Sequence, residues 1–586
     1  MKSRIKLSTA GFLGFITIVA MIFPSCTQES GGIKSISAPT IISTTPYDGM
    51  VNVDNGTTIS ITFSESMRLS SFSVNSTSTS CSGTIQLSSD GFTTCVMMES
   101  TIASSSGNSK ITVTPAASLD NGLYQIKVTT AASDVADDNL SSEYVSINGF
   151  ATPVVGELDP TFGTNGSLIV GGTAGGSNLD DSGNAIAIDS DGKLVVAGNS
   201  NSPTSQDMVI FRYMPDGTLD TSFNSPNGYL IAADFVGLNS TDNVTSIVID
   251  SNGNIVVAGT SGDATDDDAV IVRLTSDGTA DLSFDGDGFV ILDSSGGLND
   301  KITSIAIDSL GKIVAVGAQD VSGDLDMSIW KLNSDGSLDT SFNGSGVLTV
   351  SNTAGGPPGP DEALDVLIDS NDQIIVSGYS FESGGGEKRN MVVWKFNPDG
   401  SLDTTFNSSG PIPGAFVHNG AAGGSDNDKG VALTLQSDSS LLIGGNSVNA
   451  SLAQDTVIWK FDSNGTLDSA NFNAPNGYAV IENPTGASTR QDTILSIAID
   501  STGKSISTGR RDNGSDGDMV VYRASPDGNG DTTFNNSGIF TIDVSPGANS
   551  ADQGKDLVVD AFNRIYIVGS SQDASADLDM VIWKIR

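Results

Sequence analysis

The sequence predicts an all-β protein, in which a β-sandwich is followed by a seven-bladed β-propeller. Three observations support this prediction. The 586 residues include 67 Gly and only 37% hydrophobic residues, and the Ser, Thr and Asn among the rest favour turns and short strands over helices. Short runs alternate between apolar and polar residues. One unit of about 62 residues recurs seven times between residue 157 and residue 586.

The charge of the chain argues against several classes of function. Its 69 Asp and Glu against 27 Lys and Arg give a formal net charge of -42. The chain will therefore not hold nucleic acid or an anionic membrane surface through bulk charge. The single histidine, His418, makes a Ser-His-Asp or Cys-His catalytic site and a multi-histidine zinc site improbable.

The N-terminus has the pattern of an export signal. Three cations in the first six residues precede an apolar stretch from Leu7 to Phe23, and Ser25 stands before Cys26. A cysteine after that small residue resembles the lipobox of bacterial lipoproteins, although Phe23 and Pro24 depart from its usual residues. The resemblance implies that residues 1–25 are removed and that Cys26 carries acyl chains that anchor the protein in a membrane. A plain transmembrane anchor is the alternative.

Residues 26–38 would form the lipid-bearing cysteine and a Ser- and Gly-rich tether. Thr27 follows the cysteine, and in bacterial lipoproteins Asp at this place is the signal for retention in the inner membrane. By the same resemblance, the expected location is the bacterial outer membrane or the cell surface.

Residues 39–152 contain short alternating runs that predict a β-sandwich. About 114 residues is a suitable size for one such domain. Features that resemble the bacterial Ig-like domains of surface proteins are Pro39, Pro46 to Gly49, Ile61 to Met67, Leu119 to Tyr124 and Asp134 to Asn139. The resemblance implies an Ig-like domain, which we expect to act as a spacer.

Cys81 and Cys95 are the only cysteines besides Cys26. Outside the cytoplasm two nearby cysteines are expected to pair, and closing a loop of this size stabilises a domain by ~3 kcal/mol in the chain-entropy account. Asp90 and Gly91 between them suggest a hairpin. A two-residue turn there would place Cys81 opposite residue 100, so the disulfide requires a longer or bulged loop. Two buried free thiols are the alternative.

The repeat is defined by three positions. A phenylalanine that shortly follows an aspartate occurs at Phe162, Phe223, Phe284, Phe342, Phe406, Phe472 and Phe534. A glycine ends the second apolar run at Gly198, Gly259, Gly317, Gly378, Gly445, Gly509 and Gly569. A cation ends the third run at Arg212, Arg273, Lys331, Lys395, Lys460, Arg523 and Lys584, and the four tryptophans of the chain all precede one of these cations.

Each unit has four short runs joined by turns and no helix between them, which predicts the blade of a β-propeller. The units resemble delta-sixty repeats, a bacterial family expected to form propellers and associated with no biochemical activity. The chain begins its repeats with an isolated strand and ends after a third strand. We therefore expect residues 166–170 to complete the last blade, made by residues 555–586, since an exposed strand edge is unfavourable. Seven self-contained blades are the alternative.

Aspartates recur in each unit. One set precedes the first strands: Asp181, Asp242, Asp300, Asp361, Asp428, Asp492 and Asp552. Calcium binding is one interpretation, because hard cations prefer clustered carboxylates. The favoured interpretation is structural, with these residues forming turns. No cofactor is expected. The cations of the third strands are expected to form ion pairs with aspartates of the repeat.

The variable loops all lie on one face of a propeller, where binding usually occurs. They are residues 171–180, 233–241, 351–360, 379–389, 418–427, 483–491 and 510–517. Five cations in them suggest a site for an anionic group: Arg490, Arg510, Arg511, Lys388 and Arg389. Solvated loop charges are the alternative.

Two functions remain open. The first is a non-catalytic, lipid-anchored surface protein whose propeller presents a binding face for a protein or a glycan. The second is a carbohydrate-active hydrolase or lyase that uses a pair of propeller carboxylates. The first is favoured, because among so many acids none departs from the repeat in a way that marks a catalytic pair.

Overall fold

The computed structural model describes residues 38–586, apart from residues 51–52, 54–55, 118, 120–122, 153–155, 175–178, 237–239, 263–265, 293–298, 321–324, 356–358, 383–387, 425–426, 482–490, 515–516, 543–550 and 573–576. Two compact units divide the chain, Met1–Pro153 and Val154–Arg586. The predicted signal, Cys26 and nearly all of the tether lie outside the described residues. Among those that are described, no helix has the length and apolarity needed to cross a membrane.

The first unit has two β-sheets around one apolar core. Its strands are β1 (Ile41–Thr45), β2 (Ile59–Phe63), β3 (Ile85–Ser88), β4 (Ala103–Ser105), β5 (Lys110–Val113), β6 (Leu123–Val128), β7 (Tyr144–Val145) and β8 (Phe150–Ala151), with one 3-10 helix at Leu69–Ser71. One sheet has the order β1-β2-β5-β4, and the other has β3-β6-β7 with β8 also paired to β6. Ile61, Ile111 and Val128 are fully buried between them, as the period-two alternation predicts.

Cys81 and Cys95 form a disulfide, with their Cα atoms 4.9 Å apart. The simple hairpin suggested by Asp90-Gly91 is wrong, because β3 pairs with β6 and no strand follows the turn directly. The carboxylate of Asp90 instead accepts hydrogen bonds from the backbone N–H groups of Thr93 and Thr94 and holds a wider loop. That loop brings the two cysteines together, which is the geometry that the disulfide requires.

The described residues of the second unit form seven antiparallel sheets of four strands, one for each repeat. The first strands are β10 (Asp181–Ile188), β14 (Thr241–Ile249), β18 (Asp300–Ile307), β22 (Glu362–Ile368), β26 (Lys429–Leu435), β30 (Thr493–Ile499) and β34 (Asp552–Val559). The second strands are β11 (Leu194–Asn201), β15 (Ile255–Gly262), β19 (Ile313–Asp320), β23 (Ile374–Phe381), β27 (Leu441–Val448), β31 (Ser505–Asp512) and β35 (Ile565–Gln572).

The remaining strands lie further out in each sheet. The third strands are β12 (Gln206–Tyr213), β16 (Asp267–Leu274), β20 (Leu325–Leu332), β24 (Arg389–Phe396), β28 (Gln454–Phe461), β32 (Gly517–Ala524) and β36 (Leu578–Ile585). The fourth strands are β13 (Tyr229–Ala232), β17 (Phe289–Leu292), β21 (Val347–Val350), β25 (Ala415–His418), β29 (Tyr478–Ile481), β33 (Ile539–Ile542) and β9 (Ser167–Val170). All pairs within a sheet are antiparallel, and one parallel bridge between Gln206 and Thr241 links the first two sheets.

The strand β9 pairs with β36, so the first strand of the repeat region completes the last sheet. Gly156 N–H also donates to the carbonyl of Arg586 at 2.6 Å, and Asp159 N–H to the carbonyl of Lys584 at 2.8 Å. The first and last sheets share an apolar core that includes Ile186 and Ile582. The expectation for residues 166–170 is therefore met by the observed pairing.

The recurring glycine is required by a β-bulge. In every sheet the register between the first and second strands shifts by one residue opposite this glycine, for example between Ile302 and Ser304. A Cβ atom on Gly317 would lie only 1.9 Å from the carbonyl oxygen of Lys301. No other residue fits so close an approach of two backbones.

The cations of four third strands, Arg212, Arg273, Lys331 and Lys584, donate to a backbone carbonyl of the next unit. The Nε atom of Arg273 lies 2.8 Å from Oδ2 of Asp281, its guanidinium lies 4.7 Å from the ring centre of Phe284, and it donates to the carbonyl of Ser334 in the next unit. Lys584 pairs in the same way with Asp159 at 3.0 Å and donates to the carbonyl of Pro215 at 3.4 Å. The predicted ion pairs are confirmed, and the repeated phenylalanine and cation form part of the packing between units.

Candidate ligand-binding pocket

The aspartates before the first strands are buried caps. Asp242 accepts hydrogen bonds from the backbone N–H of Asp234 at 2.8 Å and from the hydroxyl of Ser240. Asp428 accepts one from the N–H of Gly420 at 2.6 Å. Burial raises the pKa of both carboxyls. These contacts hold the loop from the preceding fourth strand, which agrees with the structural interpretation of this set.

The described aspartates do not cluster in a way that would hold calcium. The residues that the structure describes contain no group of three or more His, Cys, Asp or Glu side chains placed to hold a metal ion. The acidic segment that begins at Asp527 forms a turn, in which Asp527 accepts hydrogen bonds from Asn529. Asp531 of the same segment is paired with Lys504 at 2.8 Å.

The repeats differ from one another at two half-buried positions of the first strand, shortly after the capping aspartate. Each position gives a row of seven residues, one from each unit. The mouth row, one residue after the aspartate, is Ser182, Asn243, Lys301, Glu362, Lys429, Thr493 and Gln553. The bulge row, three residues after it, is Asn184, Thr245, Thr303, Leu364, Val431, Leu495 and Lys555. First strands line the central channel of a propeller. The bulge row is apolar in the fourth, fifth and sixth units and polar in the other four.

A cavity of about 570 Å³ opens beside these three apolar residues, and we call it the mouth pocket. Its lining residues are Leu364, Arg389, Asn427, Lys429, Val431, Asn446, Val448, Leu452, Gln454, Gln491, Thr493 and Leu495. Asn427 and Gln491 lie in connections from fourth to first strands, and Leu452 lies in a connection from a second to a third strand. The pocket is thus on the face that carries the variable loops. Its volume is within the range of small-molecule sites.

Two cations converge at the mouth pocket. The Nζ atom of Lys429 lies 4.8 Å, and the Cζ atom of Arg389 5.1 Å, from the ring centre of Tyr379. Burial lowers the pKa of Lys429, and the positive charge of Arg389 lowers it further. The nearby acid, Glu362, is already bound to Lys301 at 2.8 Å and to the hydroxyl of Tyr379 at 2.6 Å. The pocket therefore has a positive rim in a strongly acidic protein.

The structure brings together only part of the predicted basic patch. Arg389 lines the mouth pocket, and Lys388 precedes it in the chain without lining the pocket. Arg511 lies 3.5 Å from Asp492 and over the ring of Tyr522, so its charge is compensated inside the sheet. Arg510 does not line the pocket and packs over Gly517. Arg490 lies outside the described residues. A ligand-binding role for these cations stays a prediction.

Sequence reasoning missed Lys429 and the amides around it. The signal was available, since the mouth row can be read by taking the residue after each capping aspartate. Lys429 is the first residue of β26 and lies next to the variable loop 418–427, not inside it. The variable loops alone therefore do not reveal it. The large apolar side chains of the bulge row were missed for the same reason, because they too lie in first strands and not in variable loops.

Besides Glu362, two further acids of the first strands depart from the repeat. Four residues after the capping aspartate most units have Ala or Ser, but the fourth has Asp365 and the seventh has Asp556. Asp365 accepts hydrogen bonds from Ser304 of the unit before and from the N–H of Leu433 of the unit after, at 2.7 and 2.8 Å. Burial raises the pKa of Asp365 to about 6. It thus joins three adjacent first strands.

Comparisons with known proteins agree with this architecture. Residues 35–152 match the family model of the bacterial Ig-like domain. The stretches 190–223, 251–284, 311–342, 370–406 and 436–470 match a domain of unknown function described as the DUF5122 β-propeller. The chain therefore contains a bacterial Ig-like domain and a DUF5122 β-propeller repeat region, and the prediction of an all-β fold is confirmed.

Several solved structures are similar to the chain. A protein of unknown function from Dyadobacter fermentans is 8% identical, with 72% of this chain and 98% of that chain covered and a TM-score of 0.36. The polysaccharide lyase Uly1 is 11% identical, with 69% and 90% covered and a TM-score of 0.38. A gluconolactonase from Xanthomonas campestris is 13% identical, with 57% and 83% covered and a TM-score of 0.28. These TM-scores carry no argument about function. No curated protein matches the chain.

Proposed function

We propose that the protein is a non-catalytic, lipid-anchored surface protein whose β-propeller binds a protein or glycan ligand through the mouth pocket. The observation that carries the proposal is the position of this pocket. It lies on the variable face, where the otherwise regular repeat changes to Arg389, Lys429 and an apolar wall. A rigid repeated scaffold that carries variable residues on one face is typical of a binding module.

The alternative, a carbohydrate-active hydrolase or lyase, requires two carboxylates free to act on a substrate. Among the acids of the first strands that depart from the repeat, Asp365 and Asp556 each accept hydrogen bonds from side-chain and backbone donors of neighbouring units. Glu362 is bound by Lys301 and by the hydroxyl of Tyr379. This bonding gives all three carboxylates a structural function and favours binding over catalysis.

A test of binding uses soluble residues 27–586 on a glycan and protein array, with and without calcium. We expect binding that the double substitution Arg389→Ala and Lys429→Ala removes. The control is Arg564→Ala, which removes a half-buried cation paired locally with Asp560. No binding by the unaltered protein, or equal binding by the unaltered protein, the double variant and the control, would reject the mouth pocket as the site. Release of reducing ends from the bound glycan by the unaltered protein would favour the enzyme.

The anchor is tested separately with the full chain. We expect the mature N-terminus to be Cys26 carrying two or three acyl chains, detected by mass spectrometry, and Cys26→Ser to release the protein from the membrane fraction. Protease digestion of intact cells would then distinguish a cell-surface position from a periplasmic one. An unmodified Cys26 with residues 1–25 still attached would support a transmembrane anchor instead.

A further inference from the structure

The charge at the mouth pocket indicates the kind of ligand that fits it. Glu362 is engaged by Lys301 and Tyr379, whereas Lys429 and Arg389 make no ion pair with an acid in the described residues. The charges of Lys301, Glu362, Arg389 and Lys429 alone thus sum to about +2, in a chain whose net charge is -42. Partly buried like charges repel each other more strongly than exposed ones. A bound anion would relieve that repulsion.

Unsatisfied polar atoms around the same cavity point to hydrogen bonds with a ligand. In the described part of the chain, Nε of Arg389, Oδ1 of Asn427 and Oγ1 of Thr493 are buried and have no hydrogen-bond partner. Such atoms are uncommon in proteins because leaving them unpaired costs free energy. They include a donor, an acceptor and a hydroxyl that can be either. That mixture matches a carboxylate together with hydroxyl groups.

The apolar part of the lining argues against a simple inorganic anion as the best fit. Leu364, Val431 and Leu495 give the cavity aliphatic surface. The cavity of about 570 Å³ is much larger than one phosphate or sulfate ion. A ligand that fills it therefore needs a carbon skeleton that contacts the aliphatic wall, with its charge directed to the cations.

We propose that the mouth pocket binds a carboxylate-bearing sugar, with Lys429 and Arg389 holding the carboxylate and the surrounding amides holding its hydroxyl groups. Asn446 and Gln454 line the same cavity, and side-chain amides both donate and accept hydrogen bonds, as sugar hydroxyls do. This assignment rests on the proposed function and names the ligand class of that site. It makes recognition of acidic glycans the role of the propeller face.

Isothermal titration calorimetry of residues 27–586 with glucuronate, glucose and inorganic phosphate tests the assignment. We expect glucuronate to bind and glucose and phosphate to bind at least tenfold more weakly, since a charge-assisted hydrogen bond is a large part of so small a ligand's affinity. Lys429→Gln and Arg389→Gln should each weaken glucuronate binding about tenfold to a hundredfold. The control, Lys388→Gln, removes a neighbouring cation that does not line the pocket and should leave affinity unchanged.

The outcomes separate the two proposals. Equal affinity for glucose and glucuronate would overturn the carboxylate assignment, and equal affinity for phosphate would reduce the pocket to an anion site. Array binding that depends on Arg389 and Lys429 without any glucuronate binding would reject this ligand class and leave the proposed function standing. Unchanged melting temperatures would show that each variant is folded.

Discussion

The ion pair between Lys312 and Asp339 allows the contribution of one repeat contact to stability to be predicted. Nζ of Lys312 lies 2.6 Å from Oδ2 of Asp339, and only 7% of the aspartate side chain is exposed. Burial alone would raise the pKa of Asp339, but hydrogen bonds from Lys312 and Ser341 outweigh it and lower the pKa to about 2. Asp339→Asn keeps an oxygen for Ser341 and removes the charge that faces Lys312.

The magnitude follows from the shift in pKa. Lowering the pKa from 3.8 to about 2 corresponds to about 2.4 kcal/mol at neutral pH, at 1.36 kcal/mol for each pKa unit. Unfolding of the second unit, Val154–Arg586, has an entropy of roughly 0.9 kcal/mol/K if each residue contributes about 2.1 cal/mol/K. We therefore expect Asp339→Asn to lower the melting temperature of this unit by about 2 to 3 °C at pH 7.

The dependence of the melting temperature on pH tests whether the ion pair is the source of this stability. A carboxyl with a lowered pKa stabilises the folded state above its unfolded pKa, and loses that effect as the pH falls toward the folded value. In differential scanning calorimetry, the difference between the two proteins should be constant from pH 7 to pH 5 and shrink below pH 4. Asp191→Asn, at an exposed position, is the matched control. A difference that stays unchanged at pH 3 would show that the ion pair is not its source.

Three further predictions concern other contacts. Burial raises the pKa of Asp365 to about 6, so its protonation stabilises the fold below pH 3.8 and that effect is lost as the pH rises through 6. In thermal unfolding, the stability of the wild type relative to Asp365→Asn should therefore be greater at pH 4 than at pH 7 by about 3 kcal/mol. A difference that does not change with pH would contradict this. Gly317→Ala should lower the stability of the repeat region by more than about 2 kcal/mol, because its Cβ would meet the Lys301 carbonyl, whereas Gly530→Ala, in a more open place, should cost less in the same urea titration. Replacing Cys81 and Cys95 by serine should destabilise the Ig-like domain by ~3 kcal/mol and leave the melting of the repeat region unchanged; a shift of both transitions would mean that the two units unfold together.

Much of the fold could be predicted because the repeat shows itself seven times. The positions of Gly317 and Phe284 recur in every unit, so chance is excluded, and each has one physical cause, a close backbone approach or packing between units. The hairpin at Asp90 was wrong because a local turn signal does not say which strand follows. The pairing of β3 with β6 is a long-range contact that alternation alone does not specify.

The candidate site was harder to predict, since it depends on which units lie next to each other. Arg389 belongs to the third strand of the fourth unit, and Lys429 and Thr493 to the first strands of the fifth and sixth units. Their meeting in one pocket requires the sheets to be arranged side by side. Arg511 shows the opposite case, because a loop cation that looks free in the sequence is paired with Asp492 within the sheet.

The pairing of β9 with β36 has a consequence for biosynthesis. Residues 167–170 are synthesised well before residues 578–585, yet the two segments pair with each other at this edge of the last sheet. The earliest strand of the repeat region must therefore wait until almost all of the repeat region has been made, and a contact between residues so far apart in sequence is slow to form. A protein truncated near its end would leave two unpaired strand edges, at which neighbouring copies could associate.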